Sequence, residues 1–199
     1  MSDVSGNARE SAALGETADN VDRHAGWWLW MASAAALIVG GVVAYYLVRP
    51  ADIVGAVAAA YADGRGEAID LAVADPAALE RAFSQKTIGF PTRVPDLDDS
   101  GFALVGGRVH HVGSALSAFA LYRGKTGRDL TLQIYPGDTA AVAERAQVRE
   151  HRDVRFFVHR RAQMTLVFWQ EGSLVFALTS DLPAEAVIQL AFATAVRPA

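Results

Sequence analysis

The chain has 199 residues and a mass of 21.2 kDa, with 18 Lys+Arg against 22 Asp+Glu and a net charge of -4. That balance excludes the concentrated basic face that duplex nucleic acid requires. No cysteine is present, so disulfides, thiolate metal sites and cysteine nucleophiles are excluded too.

Residues 1–26 are polar, with five acids and two arginines, and hold too few large apolar groups to offset the entropy of ordering. A disordered tail is expected there. Residues 27–48 (WWLWMASAAALIVGGVVAYYLV) are 22 residues without a charge. At about 1.5 Å per residue such a helix crosses the roughly 30 Å hydrocarbon core of a bilayer. Trp27, Trp28 and Trp30 at one end and Tyr45 and Tyr46 at the other suit the headgroup level. The run is too long, and too far from residue 1, for a cleaved signal peptide. The prediction is an uncleaved single-pass anchor. Arg9 and Arg23 before it nearly balance Arg49 and Arg65 after it, so flanking charge leaves the orientation open. Gly40 and Gly41 would weaken a membrane helix locally or let a second helix pack closely.

Residues 49–86 are expected to form a helical juxtamembrane stalk. Ile53, Val54, Val57, Ala60 and Tyr61 recur at helical spacing, and Gly64 and Gly66 end that segment. Ile69 to Val73 form a short further element. Asp75-Pro76 is an N-cap followed by a proline in the first turn, which predicts a helix over Ala77–Phe83.

From residue 87 to 199 the pattern predicts an α+β domain with an antiparallel sheet and flanking helices, packed on one face. Six strands are expected. Phe102–Val112 is interrupted by a bulge at Gly106-Gly107; Ala115–Tyr122 and Leu130–Tyr135 follow, joined by a turn at Gly124–Gly127. A weakly helical stretch occupies 139–147. Val154–Val158, Met164–Trp169 and Leu174–Leu178 come next, the last two joined at Glu171-Gly172. Asp181-Leu-Pro183 opens the final helix, with Leu182, Ala186, Val187, Leu190 and Ala191 on its apolar side.

No constellation with catalytic spacing emerges, and the chain reads as a protein without enzymatic activity, cofactor or small-molecule substrate. His110 and His111 are strand neighbours and point to opposite faces, so they cannot share a metal ion, and no metal site is expected. His159-Arg160-Arg161 reads as a solvated hairpin end or a docking patch for an acidic partner. Gly124-Lys-Thr lacks the upstream glycine of a phosphate loop. Asp96, Asp98 and Asp99 read as a solvated turn, and Trp169 as core.

Val94-Pro-Asp96-Leu97 followed by Gly101-Phe102-Ala-Leu-Val-Gly106-Gly107-Arg108 resembles the extracytoplasmic domain of bacterial transmembrane anti-sigma factors. Ala120-Leu-Tyr-Arg123, Leu130–Tyr135, Phe168-Trp169-Gln-Glu-Gly172 and Ser180-Asp-Leu182 continue the resemblance in the same order, over roughly residues 70 to 192. The resemblance implies a cytoplasmic N-terminus, a periplasmic C-terminal domain in the bacterial inner membrane, a sigma factor as partner and a role in transcription regulation. Two departures accompany it. Residues 1–26 cannot hold the family's His-x3-Cys-x2-Cys zinc helix, and Pro76–Phe83 keeps little of its pre-domain motif beyond Phe83. The alternative expectation is an accessory subunit of a membrane protein complex, using the same fold without binding a sigma factor.

Overall fold

The computed structural model describes residues 52–64, 69–86 and 88–196, all within the unit Ala51–Ala199. Its centre is a seven-stranded sheet, entirely antiparallel, in the order β1-β2-β3-β7-β6-β5-β4. The strands are β1 (Phe102–Val112), β2 (Ala115–Gly124), β3 (Asp129–Pro136), β4 (Gln147–His151), β5 (Val154–Arg161), β6 (Met164–Glu171) and β7 (Leu174–Ser180). Two meanders, β1-β2-β3 and β4-β5-β6-β7, join where β7 pairs with β3. Four hairpins close on two-residue turns. In each, backbone with positive φ (Gly113, Arg152 and Asp153, Ala162, Gly172) supplies the twist that a tight antiparallel turn requires.

Among the described residues four helices cover the sheet: α1 (Ile53–Gly64), α2 (Pro76–Gln85), the single turn α3 (Ala140–Ala143) and α4 (Ala184–Thr194). The helices lie on both faces, which corrects the expectation of a single covered face. The physical reason is visible in the strand patterns. β2, β3, β6 and β7 are buried almost throughout, so neither side of the sheet centre meets water.

The first face carries the larger core. Leu79 and Phe83 of α2 and Val187, Ile188 and Ala191 of α4 pack there on Leu130, Leu132, Phe156, Val167, Trp169 and Leu178. α2 starts as its sequence predicts: Asp75 Oδ1 accepts from Ala78 N at 2.6 Å and Pro76 occupies the first turn. Leu79 and Phe83, four residues apart, then form one buried stripe. On the second face α1 sets Val54, Val57 and Ala58 against Phe157, Leu166, Phe168 and Ala177, with Val142 of α3 in the same cluster.

The segment expected to be a stalk is therefore part of the fold, with α1 on one face and α2 on the other. Leu71, between them, forms a two-bond bridge with Gly107 and covers the outer edge of β1. A strand that the sequence pattern did not reveal is also present, at Gln147–His151, beginning at the last residue of the stretch 139–147 expected to be weakly helical. The helix there is one turn long, at 140–143. β4 is a polar edge strand, exposed along most of its length, so it lacks the alternation that reveals a half-buried strand.

Among the described residues no helix is long and apolar enough to cross a membrane. The apolar run 27–48, with Trp27, Trp28, Trp30, Gly40, Gly41, Tyr45 and Tyr46, lies outside the described residues.

Candidate functional site

The residues singled out by the anti-sigma resemblance fall on β1 and its approach. Asp96 is exposed and accepts from Asp98 N at 3.0 Å, which starts the single 3-10 turn Asp98–Ser100. Leu97 is buried, and its carbonyl accepts from Ser100 N and Phe102 N. Gly101 closes that turn at φ +84°, a conformation that favours glycine. Phe102 then enters the first core.

Register slips between Leu104 and Gly106, so Val105 is the extra residue and the bulge falls at Val105-Gly106, one residue before the expected Gly106-Gly107; Gly107 pairs regularly with Ala120. A Cβ on Gly107 would lie 2.5 Å from the Phe119 carbonyl oxygen and 2.8 Å from Phe83 Cζ. The glycines are thus where Leu71 and α2 approach the strand. Arg108 points to the other face, its guanidinium 4.8 Å from the Phe119 ring centroid and 3.4 Å from the Ala60 carbonyl of α1. Trp169 is fully buried, stacked on Phe176, and donates through Nε1 to Glu171 Oε1 at 2.8 Å. These residues build a sheet edge and its core; their side chains do not converge on one open pocket.

An open cleft of about 540 Å³ lies elsewhere, at the end of the sheet where the β5–β6 hairpin meets the start of α4. Arg128, Arg160, Gln163, Thr165 and Asp181 line it. Arg128 Nη1 donates to the Asp181 carbonyl at 2.9 Å and reaches its carboxylate at 3.4 Å, so the two charges largely cancel. Its chemistry is that of a weak polar recess, without a nucleophile and base in contact. Among the described residues no group of three or more His, Asp or Glu is placed to hold a metal ion.

The most distinctive chemistry is hidden beneath α1. Along β3 and β7 the second face presents Thr131, Gln133 and Thr179, all fully buried. Thr131 and Thr179 stand directly opposite each other across the ladder. Gln133 Nε2 donates to the Val57 carbonyl of α1 at 3.1 Å. Thr131 Oγ1, Thr179 Oγ1 and Gln133 Oε1 have no hydrogen-bond partner. His110, on the same face, meets Phe119 edge-on. Burial, then the neighbouring Arg108 charge, lower its pKa from 6.5 to about 4. The Gln133 side chain opposes that fall, although His110 Nε2 and Gln133 Oε1 do not complete a well-aligned hydrogen bond. His111 is exposed on the opposite side of the strand, as strand alternation requires.

The alternation Leu-Thr-Leu-Gln-Ile-Tyr at 130–135 already shows one apolar and one more polar face. Nothing in it indicates that a helix more than 60 residues earlier covers the polar one.

No family model and no curated protein matches the chain. Among solved structures it is similar to a GTP-binding regulator from Thermotoga maritima, with 15% sequence identity and a TM-score of 0.36, over 48% of this chain and 83% of that one. A likeness of this degree carries no argument about function.

Proposed function

We propose that the protein is a single-pass membrane-anchored regulator of the anti-sigma-factor type. Residues 27–48 form the anchor, 1–26 the cytoplasmic tail, and the α+β domain a periplasmic interaction or sensing module. The observation that carries this reading is how soon the fold begins after the apolar run. Asp52, four residues beyond Val48 in sequence, caps α1 by accepting from Gly55 N at 2.8 Å and pairs with Arg161 of β5 at 2.8 Å. A first helix this few residues after a proposed span, in sequence, suits transmission of an event in the domain. The role is binding and transmission, and no catalytic step is assigned.

A second reading, an accessory subunit of a membrane complex, is favoured by one observation. Residues 1–26 hold none of the cysteines of the zinc helix through which many anti-sigma factors bind their partner. Affinity purification of tagged full-length protein from solubilised membranes separates the two. Recovery of a sigma factor, lost when residues 1–26 are deleted, is the expected result. A stoichiometric set of integral membrane proteins with no sigma factor would replace the regulator by the subunit.

A further inference from the structure

The two faces of the sheet are covered in physically different ways. On the first, α2 and α4 seal a continuous apolar core that contains Trp169, Phe156 and Phe83. On the second, α1 (IVGAVAAAYADG) is built mainly of Ala and Gly, and its larger buried side chains are Val54, Val57 and Tyr61. The surface it covers is partly polar. α1 is tied to β3 by Val57, through Gln133 Nε2, and by Tyr61, whose hydroxyl donates to the Asp129 carbonyl at 3.3 Å and accepts from Asp181 N, just after β7, at 3.2 Å. Thr131 lies between those anchors, with Thr179 beside it on β7.

We infer that α1 is a displaceable cover, which lifts from β3 and β7 while the rest of the domain stays folded. Three observations carry this. First, a buried hydroxyl or amide oxygen without a partner is a standing cost that water would relieve. Thr131 Oγ1 and Thr179 Oγ1 are such atoms, and Gln133 Oε1, on the same face, has only a poorly aligned approach from His110. Lifting α1 hydrates them, so release costs less than the buried apolar area implies. Second, apart from the buried Tyr61 hydroxyl, the polar ties named here are weak in kind. Gln133 and Arg108 donate to the Val57 and Ala60 carbonyls, inside α1, where the helix already uses those oxygens. The Asp52–Arg161 pair has side chains 60% and 46% exposed, a setting in which ion pairs contribute little. Third, α1 is not part of the ladder: the seven strands pair with one another in turn across the sheet, and α1 only lies over it. The opened face presents the hydrogen-bonding side chains Thr131, Gln133 and Thr179 set among apolar ones such as Phe168 and Leu166, a mixed surface that a partner can cover. The inference does not rest on sigma-factor binding and survives if that reading fails.

The native absence of cysteine makes the test direct. Single variants Thr131→Cys and Thr179→Cys, beneath α1, and Ala118→Cys, buried on the opposite face, are made in the full-length protein in detergent. Their reaction with a maleimide is followed at increasing urea. The first two should react about 100-fold faster than the third, at rates nearly flat in low urea, the mark of local opening. Val57→Ala should accelerate both a further ~10-fold and leave Ala118→Cys unchanged. Equal rates with one steep urea dependence at all three positions would overturn the inference. Hydrogen exchange on the unmodified protein decides the matter if a cysteine variant fails to fold. Amides of 57–64 should be about 100-fold less protected than those of 188–194, and equal protection would overturn it.

Discussion

His110 occupies a place where a positive charge is unwelcome. Burial and Arg108 hold its pKa down to about 4, against 6.5 in an exposed histidine. The sign of the consequence follows. Above pH 6.5 the ring is neutral in both folded and unfolded chains, and its contribution to stability is complete. As pH falls below 6.5 the unfolded chain binds a proton that the folded chain refuses until about pH 4, so stability is lost across that window. Because the ring is partly exposed, the loss is discounted to on the order of 1–2 kcal/mol. Urea titrations at pH 7.5 and pH 4.5 should show a smaller drop for His110→Phe than for the parent protein. An identical drop in both would assign the acid sensitivity to other groups. That His110 and His111 face opposite ways was legible in the sequence, because strand alternation fixes it. That His110 is the less exposed of the two was not, because burial depends on what covers each face.

At the scale of elements, the far end of α4 is held by one carboxylate. Glu171 Oε1 accepts from Arg93 Nη2 at 2.8 Å, from Trp169 Nε1 at 2.8 Å and from Val196 N at 3.0 Å. Arg93 Nη2 also donates to the Thr194 carbonyl at 2.9 Å, so β6, the segment before β1 and the C-terminal end of α4 meet at this point. Glu171→Ala leaves the Trp169 indole N–H and the Arg93 guanidinium short of an acceptor. The expected destabilisation is about 2–4 kcal/mol. Tryptophan fluorescence should change with it, and loss of protection at 191–196 in hydrogen exchange should exceed that elsewhere. A uniform loss would mean that the carboxylate does not act as a local latch. From the sequence Glu171 reads as the start of a hairpin turn. In the structure it ends β6, pairs with Leu174, and leaves the turn to Gly172-Ser173. Its role as an acceptor needs groups from 25 and 78 residues away, which no local pattern could bring together.

At the scale of the molecule, the proposed anchor has its own test. Alkaline carbonate extraction of membranes should leave the full-length protein in the pellet and release a variant deleted for residues 27–48 into the supernatant. Release of both would remove the membrane-spanning role from that run. The α+β class, the antiparallel order of the hairpins, a bulge in β1 beside the glycine pair (at Val105-Gly106, one residue before the expected place) and the start of α2 at Asp75-Pro76 were set by local chemistry: alternation, glycine geometry and capping. Each depends on residues a few positions apart, which a sequence displays directly. The joining of β3 to β7, the edge strand β4 and the placing of α1 over a polar sheet face were decided only by the tertiary structure. Those features come from surfaces that meet across long stretches of chain. α1 shows the difference most plainly. Its helical spacing is readable from Ile53 to Tyr61, but whether its apolar stripe meets solvent, a membrane or Gln133 is settled by what the rest of the chain leaves uncovered.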